Sequence, residues 1–350
     1  MPTLSLLLLV LFALLATRVT APLGQRLGLS DQPDMRKHHL GAIPLTGGIA
    51  IFLTIGCGTV LLGIAPLTLP MLGIACLVFA LAVFDDAHHI NPSLRLLLHY
   101  SSGILLATYG GIAIVDVGNL LAMGDIPLLL LSIPLTALSV AGLCNAYNMI
   151  DGIDGLAAST AALPLLVLYI LAEQVHHPMA NYLLLVLVPV VVFLLFNLGP
   201  NSMLLPKIFL GDGGSVTLGF LVTAALVFFS QAPNTLIEPV TALWLVTVPL
   251  MDMLATMLRR ARHGRKLMEA DRSHLHHTLM DMGLGARQTL LVLVSYASLC
   301  ALLGLALEAI PPYLSLLGYF LLFCGHCLFV IKSDKIAGVL RQRRGQRSAA

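Results

Sequence analysis

The chain has 350 residues, of which 58% are hydrophobic and 10% are charged, and its mean hydropathy is +0.94. A soluble chain carries roughly 25% charged residues, so this composition excludes a soluble globular protein and predicts an all-α, polytopic integral membrane protein. The lipid bilayer is therefore the first expected partner, and no nucleic acid is expected. The six cysteines lie in or beside apolar runs, which does not fit the disulfide framework of a secreted protein.

Eleven apolar runs have approximately the length needed to cross a bilayer. No basic residue precedes the first run, because Arg18 follows it, so we expect a retained first span rather than a cleaved signal peptide, with the N-terminus outside. The runs show no internal repeat. They cover residues 3–17, 45–64, 70–84, 96–115, 127–144, 156–172, 181–198, 213–230, 239–257, 289–307 and 313–331.

The basic residues divide the loops into two groups. All 19 lysines and arginines lie in alternate loops, while the loops between them hold Asp116, Asp125, Glu173, Glu238 and Glu308 instead. The positive-inside rule places the basic group in the cytoplasm, together with the C-terminus. We interpret residues 1–350 as one integral membrane domain whose functional loops face the cytoplasm, at about 18–44, 85–95, 145–155, 199–215 and 258–288.

A polar stretch in an otherwise very apolar chain lies in the third of these loops. Two amides and two carboxylates occur there at intervals of three residues, which predicts that helical geometry stacks each pair on one face. Gly152 and Gly155 are expected to leave room for a ligand to approach the backbone. Carboxylates beside hydrocarbon are costly and mark a functional site. The four polar residues are Asn145, Asn148, Asp151 and Asp154.

Three further carboxylates, Asp85, Asp86 and Asp212, belong to neighbouring cytoplasmic loops. Oxygen ligands of this kind suit Mg²⁺, with Mn²⁺ as the alternative. Asp212 lies in the glycine-rich segment 211–215, whose amides could face a phosphate. The alternative interpretation of that segment is a flexible start to the next helix.

The largest cytoplasmic loop combines basic residues with histidines. Residues 259–266 are either ordinary positive-inside charge or a clamp for an anionic substrate. The spacing His-x-His-His does not match a closed zinc site, and phosphate recognition or proton handling suits it equally well. Asp252 is expected to be a buried carboxylate with either a hydrogen-bonding or a site-supporting role. The histidines are His274, His276 and His277.

These residues favour phosphoryl transfer between a soluble and a lipid substrate, in which the protein mainly positions groups and neutralises charge. The rival class is an ion-coupled transporter. Transporters tend to place charged sites near the midplane of repeated halves. Here the carboxylates lie at cytoplasmic helix ends, so an enzyme is favoured.

Seven motifs occur in order between residue 34 and about residue 285: Arg36-Lys-His, Pro44 with Gly47-Gly48, Asp85-Asp86, Asn145 to Leu156, Phe209 to Ser215, Pro249-Leu-Met-Asp252 and Asp271 to His277. In these motifs the sequence resembles the polyprenyl-phosphate N-acetylhexosamine-1-phosphate transferase family. It is most similar to the WecA-type branch, the undecaprenyl-phosphate GlcNAc-1-phosphate transferases, because His274-Leu-His276-His277 replaces three consecutive histidines.

The resemblance implies transfer of GlcNAc-1-phosphate from UDP-GlcNAc to undecaprenyl phosphate, with release of UMP. This would start a lipid-linked surface glycan such as O-antigen at the cytoplasmic face of a bacterial inner membrane. The alternative within the class is another UDP-N-acetyl sugar, and a homo-oligomer is left open. The sequence departs from the family at Ala87, where many relatives have a third acidic residue, and at Ser93, where a basic residue is common, although Arg95 fits.

The resemblance also implies roles for individual residues. Asp212 would be a metal ligand, with Asn148 near it as a second metal-binding and substrate-binding candidate. Asp85 and Asp86 would engage or deprotonate the lipid phosphate. Asp151 and Asp154 would belong to the nucleotide and diphosphate side. The remaining substrate-binding candidates are Asn145, Asn197, Arg265, His274, His276 and His277.

Overall fold

A computed structural model describes residues 3–31, 42–64, 68–88, 90–267 and 274–348, and the side chains of these residues up to Ser333. The sequence motifs Arg36-Lys-His and Asp271-Arg-Ser, with His89, lie outside the described residues. The helices are α1 (Thr3–Arg26), α2 (Gly47–Leu61), α3 (Leu69–His88), α4 (Pro92–Thr108), α5 (Ser132–Ile150), α6 (Leu156–Gln174), α7 (Ala180–Leu198), α8 (Gly211–Ser230), α9 (Pro239–Leu245), α10 (Thr247–Arg262), α11 (Leu275–Asp281), α12 (Ala286–Ala306) and α13 (Pro312–Ser348).

The remaining regular structure is minor. Two short 3₁₀ turns, Leu129–Leu131 and Leu307–Ala309, precede α5 and follow α12. Strands β1 (Ser30–Asp31) and β2 (Ile43–Pro44) pair antiparallel between α1 and α2. A two-residue pairing does not alter the fold class, and the chain is an all-α polytopic membrane protein.

Among the described residues, eight helices are long and apolar enough to cross a membrane: α1, α3, α5, α6, α7, α8, α12 and α13. The pair α9 and α10 would add a ninth span, which is bent by 80° at its break. Helix α2 is apolar but has 15 residues, and α4 has 17. Each of the eleven apolar runs of the sequence overlaps one of these helices.

Helix α8 is the centre of the bundle. Of its most apolar 18-residue stretch, 94% is buried inside the protein, a larger share than in any other candidate span among the described residues. It packs against α2, α3, α5 and α6. A helix that is apolar all round and enclosed by neighbours can occupy this position, because it presents almost no surface to lipid.

The first turns of α2 and α8 touch through glycine. The backbone amides of Gly47 and Gly48 donate to the carbonyls of Phe209 and Leu210, both at 2.9 Å. A Cβ atom at Gly48 would lie 2.2 Å from the backbone nitrogen of Gly214. Glycine is required for this approach, and the contact fixes where α8 begins.

The other end of α8 is about 30 Å away, since its 20 residues rise 1.5 Å each. There the Gln231 side chain accepts from the Asp116 amide at 3.1 Å and donates to the Asp116 carbonyl at 3.2 Å. Glu308 accepts from the backbone amide of Glu238 at 2.9 Å. Burial and the carboxylates of Glu308, Asp125 and Asp116 raise the pKa of Glu238. The acidic loops predicted to lie outside therefore gather at one end of the bundle.

We expect Gly48→Ala to destabilise the protein by about 1–3 kcal/mol, because the added methyl group must push α2 away from the start of α8. Gly56→Ala on the same helix is the matched control, since nothing lies within 4 Å of its added Cβ. Alanine is favoured over glycine in a helix by about 1 kcal/mol, so the control should be unchanged or slightly more stable. Thermal unfolding in detergent measures both, and equal stability of the two variants would contradict the contact.

Candidate active site

The structure brings the predicted site residues from four segments to one end of the bundle. Asp85 and Asp86 lie in the last turn of α3, and Asp212 lies in the first turn of α8. The turn between α5 and α6 carries Asp151 and Asp154. The fourth segment is α11 with the residue before it, and it contains the three histidines of the large loop.

Asp86 caps the N-terminus of α8. Its two carboxylate oxygens accept from the backbone amides of Asp212 and Gly213, each at 2.9 Å. The first amides of a helix lack intrahelical partners and carry partial positive charge, so a carboxylate is favourable there. The expectation that the amides of the 211–215 segment face a phosphate is wrong for these two, because Asp86 already occupies them. The segment is the buried first turn of α8 and not a flexible start.

Asp85 is buried and holds Arg95. One of its oxygens accepts from the Ile90 amide at 2.6 Å, and the other lies 3.1 Å from the Arg95 guanidinium. The same guanidinium nitrogen lies 3.5 Å from an Asp212 oxygen. The Arg95 side chain is 24% exposed, so a cationic group is fixed between two carboxylates at the edge of the site.

Asp212 also contacts α5, through Asn148. The Asn148 amide donates to Asp212 Oδ1 at 2.7 Å and to the Ser215 hydroxyl oxygen at 3.3 Å. The Asp212 side chain is 35% exposed, in contrast to the buried Asp85. The structure therefore places Asn148 beside Asp212, as the resemblance implies, with the Asp212 carboxylate reachable from outside.

Asp151 and Asp154 lie in a turn, so the expectation that a helix stacks them on one face is wrong. Helix α5 ends at Ile150, and Gly155, with a φ of 76°, precedes the start of α6. Desolvation, followed by the carboxylates of Asp212, Asp86 and Asp154, raises the pKa of Asp151 to about 8.

Lys207 supplies a positive charge on this side of the site. Its ammonium group lies 2.6 Å from an Asp154 oxygen and also contacts the Asn197 carbonyl. This ion pair joins the α5–α6 turn to the loop before α8. The Asp154 side chain is 43% exposed, so the pair lies at the surface of the site.

The His276 ring covers Gly152. A Cβ atom at residue 152 would lie 2.1 Å from His276 Nε2, and one at Gly155 would lie 2.7 Å from a methyl carbon of Leu198. The two glycines therefore admit protein side chains, and the expectation that they leave room for a ligand is wrong. The consequence is that α11 lies directly against the Asp151 turn.

The other predicted substrate-binding residues differ in their exposure. Asn145 is buried, and its amide donates to the sulfur atoms of Met149 at 3.2 Å and Met253 at 3.6 Å. Asn197 is buried and donates to the Ile208 carbonyl at 2.8 Å. Arg265 is exposed after the end of α10. Direct substrate contact stays a prediction for all three.

The oxygen donors suit a hard divalent cation. No three His, Cys, Asp or Glu side chains of the described residues are arranged to hold a metal ion by themselves. Mg²⁺ needs no such cage, because it binds one or two carboxylates and completes its shell with water and substrate phosphates. The exposed Asp212 carboxylate, close to the carboxyl groups of Asp86 and Asp151, fits this requirement, and the donor set suits Mg²⁺ or Mn²⁺ better than zinc.

Comparisons with known proteins show the family of the chain. Residues 68–230 match the family model described as glycosyl transferase family 4. The chain is 33% identical over 348 residues to an undecaprenyl-phosphate α-N-acetylglucosaminyl 1-phosphate transferase of Pasteurella multocida (strain Pm70), covering 97% of both chains. It is 32% identical over 329 residues to the protein of that name from Escherichia coli (strain K12), covering 91% of this chain and 88% of the relative. The chain belongs to the family of these undecaprenyl-phosphate α-N-acetylglucosaminyl 1-phosphate transferases.

The part that matches the glycosyl transferase family 4 model contains all five carboxylates but not the histidine segment. Three supporting residues were not among the site residues selected from the sequence: Arg95, Lys207 and Asp252. Arg95 was noted there as fitting the family pattern, and Asp252 was correctly expected to be buried. Lys207 could have been suspected as the basic residue next to the Phe209 motif, but its Asp154 partner lies 53 residues away.

We expect Asp86→Ala to destabilise the protein by about 1–3 kcal/mol, because it leaves two buried amides of α8 without their acceptor. Asp86→Asn keeps one oxygen at nearly the same size and should recover part of that loss. Thermal unfolding of the three proteins in detergent measures the effect. An alanine variant as stable as the wild type would show that Asp86 does not hold α8.

Proposed function

We propose that this protein transfers GlcNAc-1-phosphate from UDP-GlcNAc to undecaprenyl phosphate, forming undecaprenyl-diphosphate-GlcNAc and UMP. The observation that carries the proposal is the group of five carboxylates and Arg95 at one end of an all-α membrane bundle. The relatives that carry the name of this reaction match over nearly their whole length. The product would start a lipid-linked surface glycan.

In this reaction an oxygen of the lipid phosphate attacks the phosphorus bound to the sugar, and the bond from that phosphorus to UMP breaks. The acceptor phosphate monoester is largely ionised near pH 7, since its second pKa is about 6. A general base therefore contributes little, and alignment and charge neutralisation must lower most of the barrier.

The contacts of Asp85 and Asp86 favour positioning roles over proton abstraction. Asp86 is occupied by two amides of α8, and Asp85 by the Ile90 amide and Arg95. Arg95 is the described cation nearest to Asp212, and its guanidinium is suited to bind a phosphate oxygen. We assign Arg95 to the phosphate groups that react, with Asp85 holding it in place.

The proposal includes Mg²⁺, with Mn²⁺ as the alternative, held by Asp212 with Asn148 beside it. When bound, the cation neutralises charge on the diphosphate and on the leaving UMP. Asn148 orients the Asp212 carboxylate through the 2.7 Å hydrogen bond. Asp151 and Asp154 lie on the nucleotide side, where Lys207 fixes the position of Asp154.

We also propose eleven spans, with the N-terminus outside, the C-terminus in the cytoplasm and the site facing the cytoplasm of a bacterial inner membrane. The separation of all 19 basic residues from the acidic loops supports this topology. The gathering of Asp116, Glu238 and Glu308 at the end of α8 opposite to Asp212 agrees with it.

Purified protein in detergent, with undecaprenyl phosphate and Mg²⁺, should release UMP from UDP-GlcNAc. Asp212→Ala should lower the rate by at least about 100-fold, the upper range for losing groups that merely support a metal ligand. Glu173→Ala, a carboxylate change in the last turn of α6 at the predicted outer side, should leave the rate unchanged. If UMP is released only from a different UDP-N-acetyl sugar, the assignment of the donor changes and the assigned chemistry stands.

Absence of UMP from every donor, in wild-type protein that unfolds cooperatively, would contradict the proposed reaction. The ion-coupled transporter would then be the candidate to test, by ion flux into proteoliposomes. Release of UMP that needs no divalent cation and survives Asp212→Ala would contradict the metal assignment and leave the reaction in place.

Two exposed methionines test the orientation. Met123 is 81% exposed in a predicted outer loop, and Met203 is 90% exposed in a predicted cytoplasmic loop. In intact spheroplasts, a membrane-impermeant maleimide should label Met123→Cys but not Met203→Cys. The Met203→Cys variant should be labelled only after the spheroplasts are lysed. The unaltered protein measures the background from its own cysteines. The reverse pattern would invert the proposed topology.

A further inference from the structure

A buried carboxylate on the bent span holds the histidine segment in place. Asp252 lies in α10 with a relative exposure of 1%. One of its oxygens accepts from the backbone amide of Leu275, the first residue of α11, at 2.7 Å. The other oxygen lies 2.9 Å from Nδ1 of His274. The family-model match ends at residue 230, so none of these three residues belongs to it.

These contacts define the state of the His274 ring. An ionised carboxylate is an acceptor and has no hydrogen to donate, so Nδ1 of His274 must carry the proton in this contact. A buried carboxylate without partners is strongly unfavourable, and the two donors from the start of α11 offset that cost. The position of α11 and the ring orientation of His274 are therefore set together by Asp252.

The histidine segment carries this constraint to the active site. The rings of His274 and His276 are nearly parallel, at 7°, with centroids 5.8 Å apart. The His276 ring in turn covers Gly152, next to Asp151. A change at Asp252 that rotates or shifts the His274 ring must move His276 against the Asp151 turn.

We propose that Asp252 is a positioning residue for the sugar-nucleotide donor, acting through His274. It holds α11 against the α5–α6 turn, so that the histidine segment forms one wall of the donor subsite. The acceptor lipid phosphate meets the opposite side of the site, near Asp85 and Arg95. This inference rests on the proposed function and adds a residue that touches neither substrate.

The test is a double-mutant cycle on the full-length protein in detergent, with UMP release as the assay. Asp252→Asn keeps the size of the side chain and one acceptor oxygen but presents an amide where the His274 N–H donates. We expect it to lower kcat/KM for UDP-GlcNAc by about 10- to 100-fold, the range for carboxylates that orient histidines in metal sites. The KM for undecaprenyl phosphate should stay within about twofold of the wild-type value. General loss of structure would impair both substrates, so an effect confined to the donor distinguishes positioning from misfolding.

The coupling to His274 is the second readout. In a His274→Ala background, Asp252→Asn should lower kcat/KM by less than about threefold, because the residue through which it acts is gone. Thr256→Val is the matched control, since Thr256 is buried on the same helix and its hydroxyl has no hydrogen-bond partner among the described residues. Its kinetic constants should equal those of the wild type.

The outcomes separate the two proposals. A wild type that releases no UMP would overturn the proposed function and, with it, the donor role of Asp252. If the wild type is active and Asp252→Asn leaves the donor kinetics unchanged, the positioning role alone is overturned. The same follows if the fold-losses in kcat/KM from Asp252→Asn and His274→Ala multiply in the double variant.

A second comparison covers the case in which Asp252→Asn does not fold. The side-chain N–H₂ of asparagine at position 274 can take the place of the histidine Nδ1–H, so His274→Asn keeps the contact with Asp252. It should retain at least about tenfold more kcat/KM for the donor than His274→Ala, in line with the value of an orienting contact. Equal kinetics of these two variants would overturn the inference.

Discussion

The active-site end of the bundle depends on the contact between the Asp86 carboxylate and the first turn of α8. A helix that begins inside a protein has amides without intrahelical partners, and the end of α3 supplies an acceptor for two of them. The negative charge is also favourable at the positive end of the helix dipole. Because Asp212 lies in the same turn, the contact that joins α3 to α8 also places Asp212 beside Arg95 and Asn148.

Charge in the site is compensated unevenly. Arg95 lies between Asp85 and Asp212, and Lys207 pairs with Asp154. Desolvation and three neighbouring carboxylates raise the pKa of Asp151 to about 8, so the carboxyl groups around Asp151 and Asp212 lack enough positive charge to compensate them all. An arrangement of this kind repels a bare diphosphate and favours one that arrives with a divalent cation, which agrees with the proposed cofactor.

The sequence was sufficient to predict which carboxylates lie at the same end of the bundle but not to predict their contacts. Segregation of the basic residues indicated which loops share a membrane face, because each span reverses the side of the chain. The burial of Asp252 was also predictable, since an ionisable residue within an apolar run must turn inward. The hydrogen-bond partners were not predictable, because Asp86 accepts from backbone amides 126 and 127 positions later in the chain. Helical spacing failed for Asp151 and Asp154, because α5 ends at Ile150 and glycine allows the turn that follows.

The bent span completes the site from outside the segment that matches the family model. Residues 68–230 supply all five carboxylates and Arg95, the groups to which the proposed reaction assigns the phosphates. Helix α10 contributes Asp252, and α11 with the residue before it contributes the histidines. Neither helix is stable alone in this position, because the buried Asp252 carboxylate needs the donors at the start of α11. The two helices must therefore order together over the Asp151 turn. In the proposed reaction, phosphate chemistry is thus assigned to the helices of the matched segment, and positioning of the donor to the part of the chain that packs onto it.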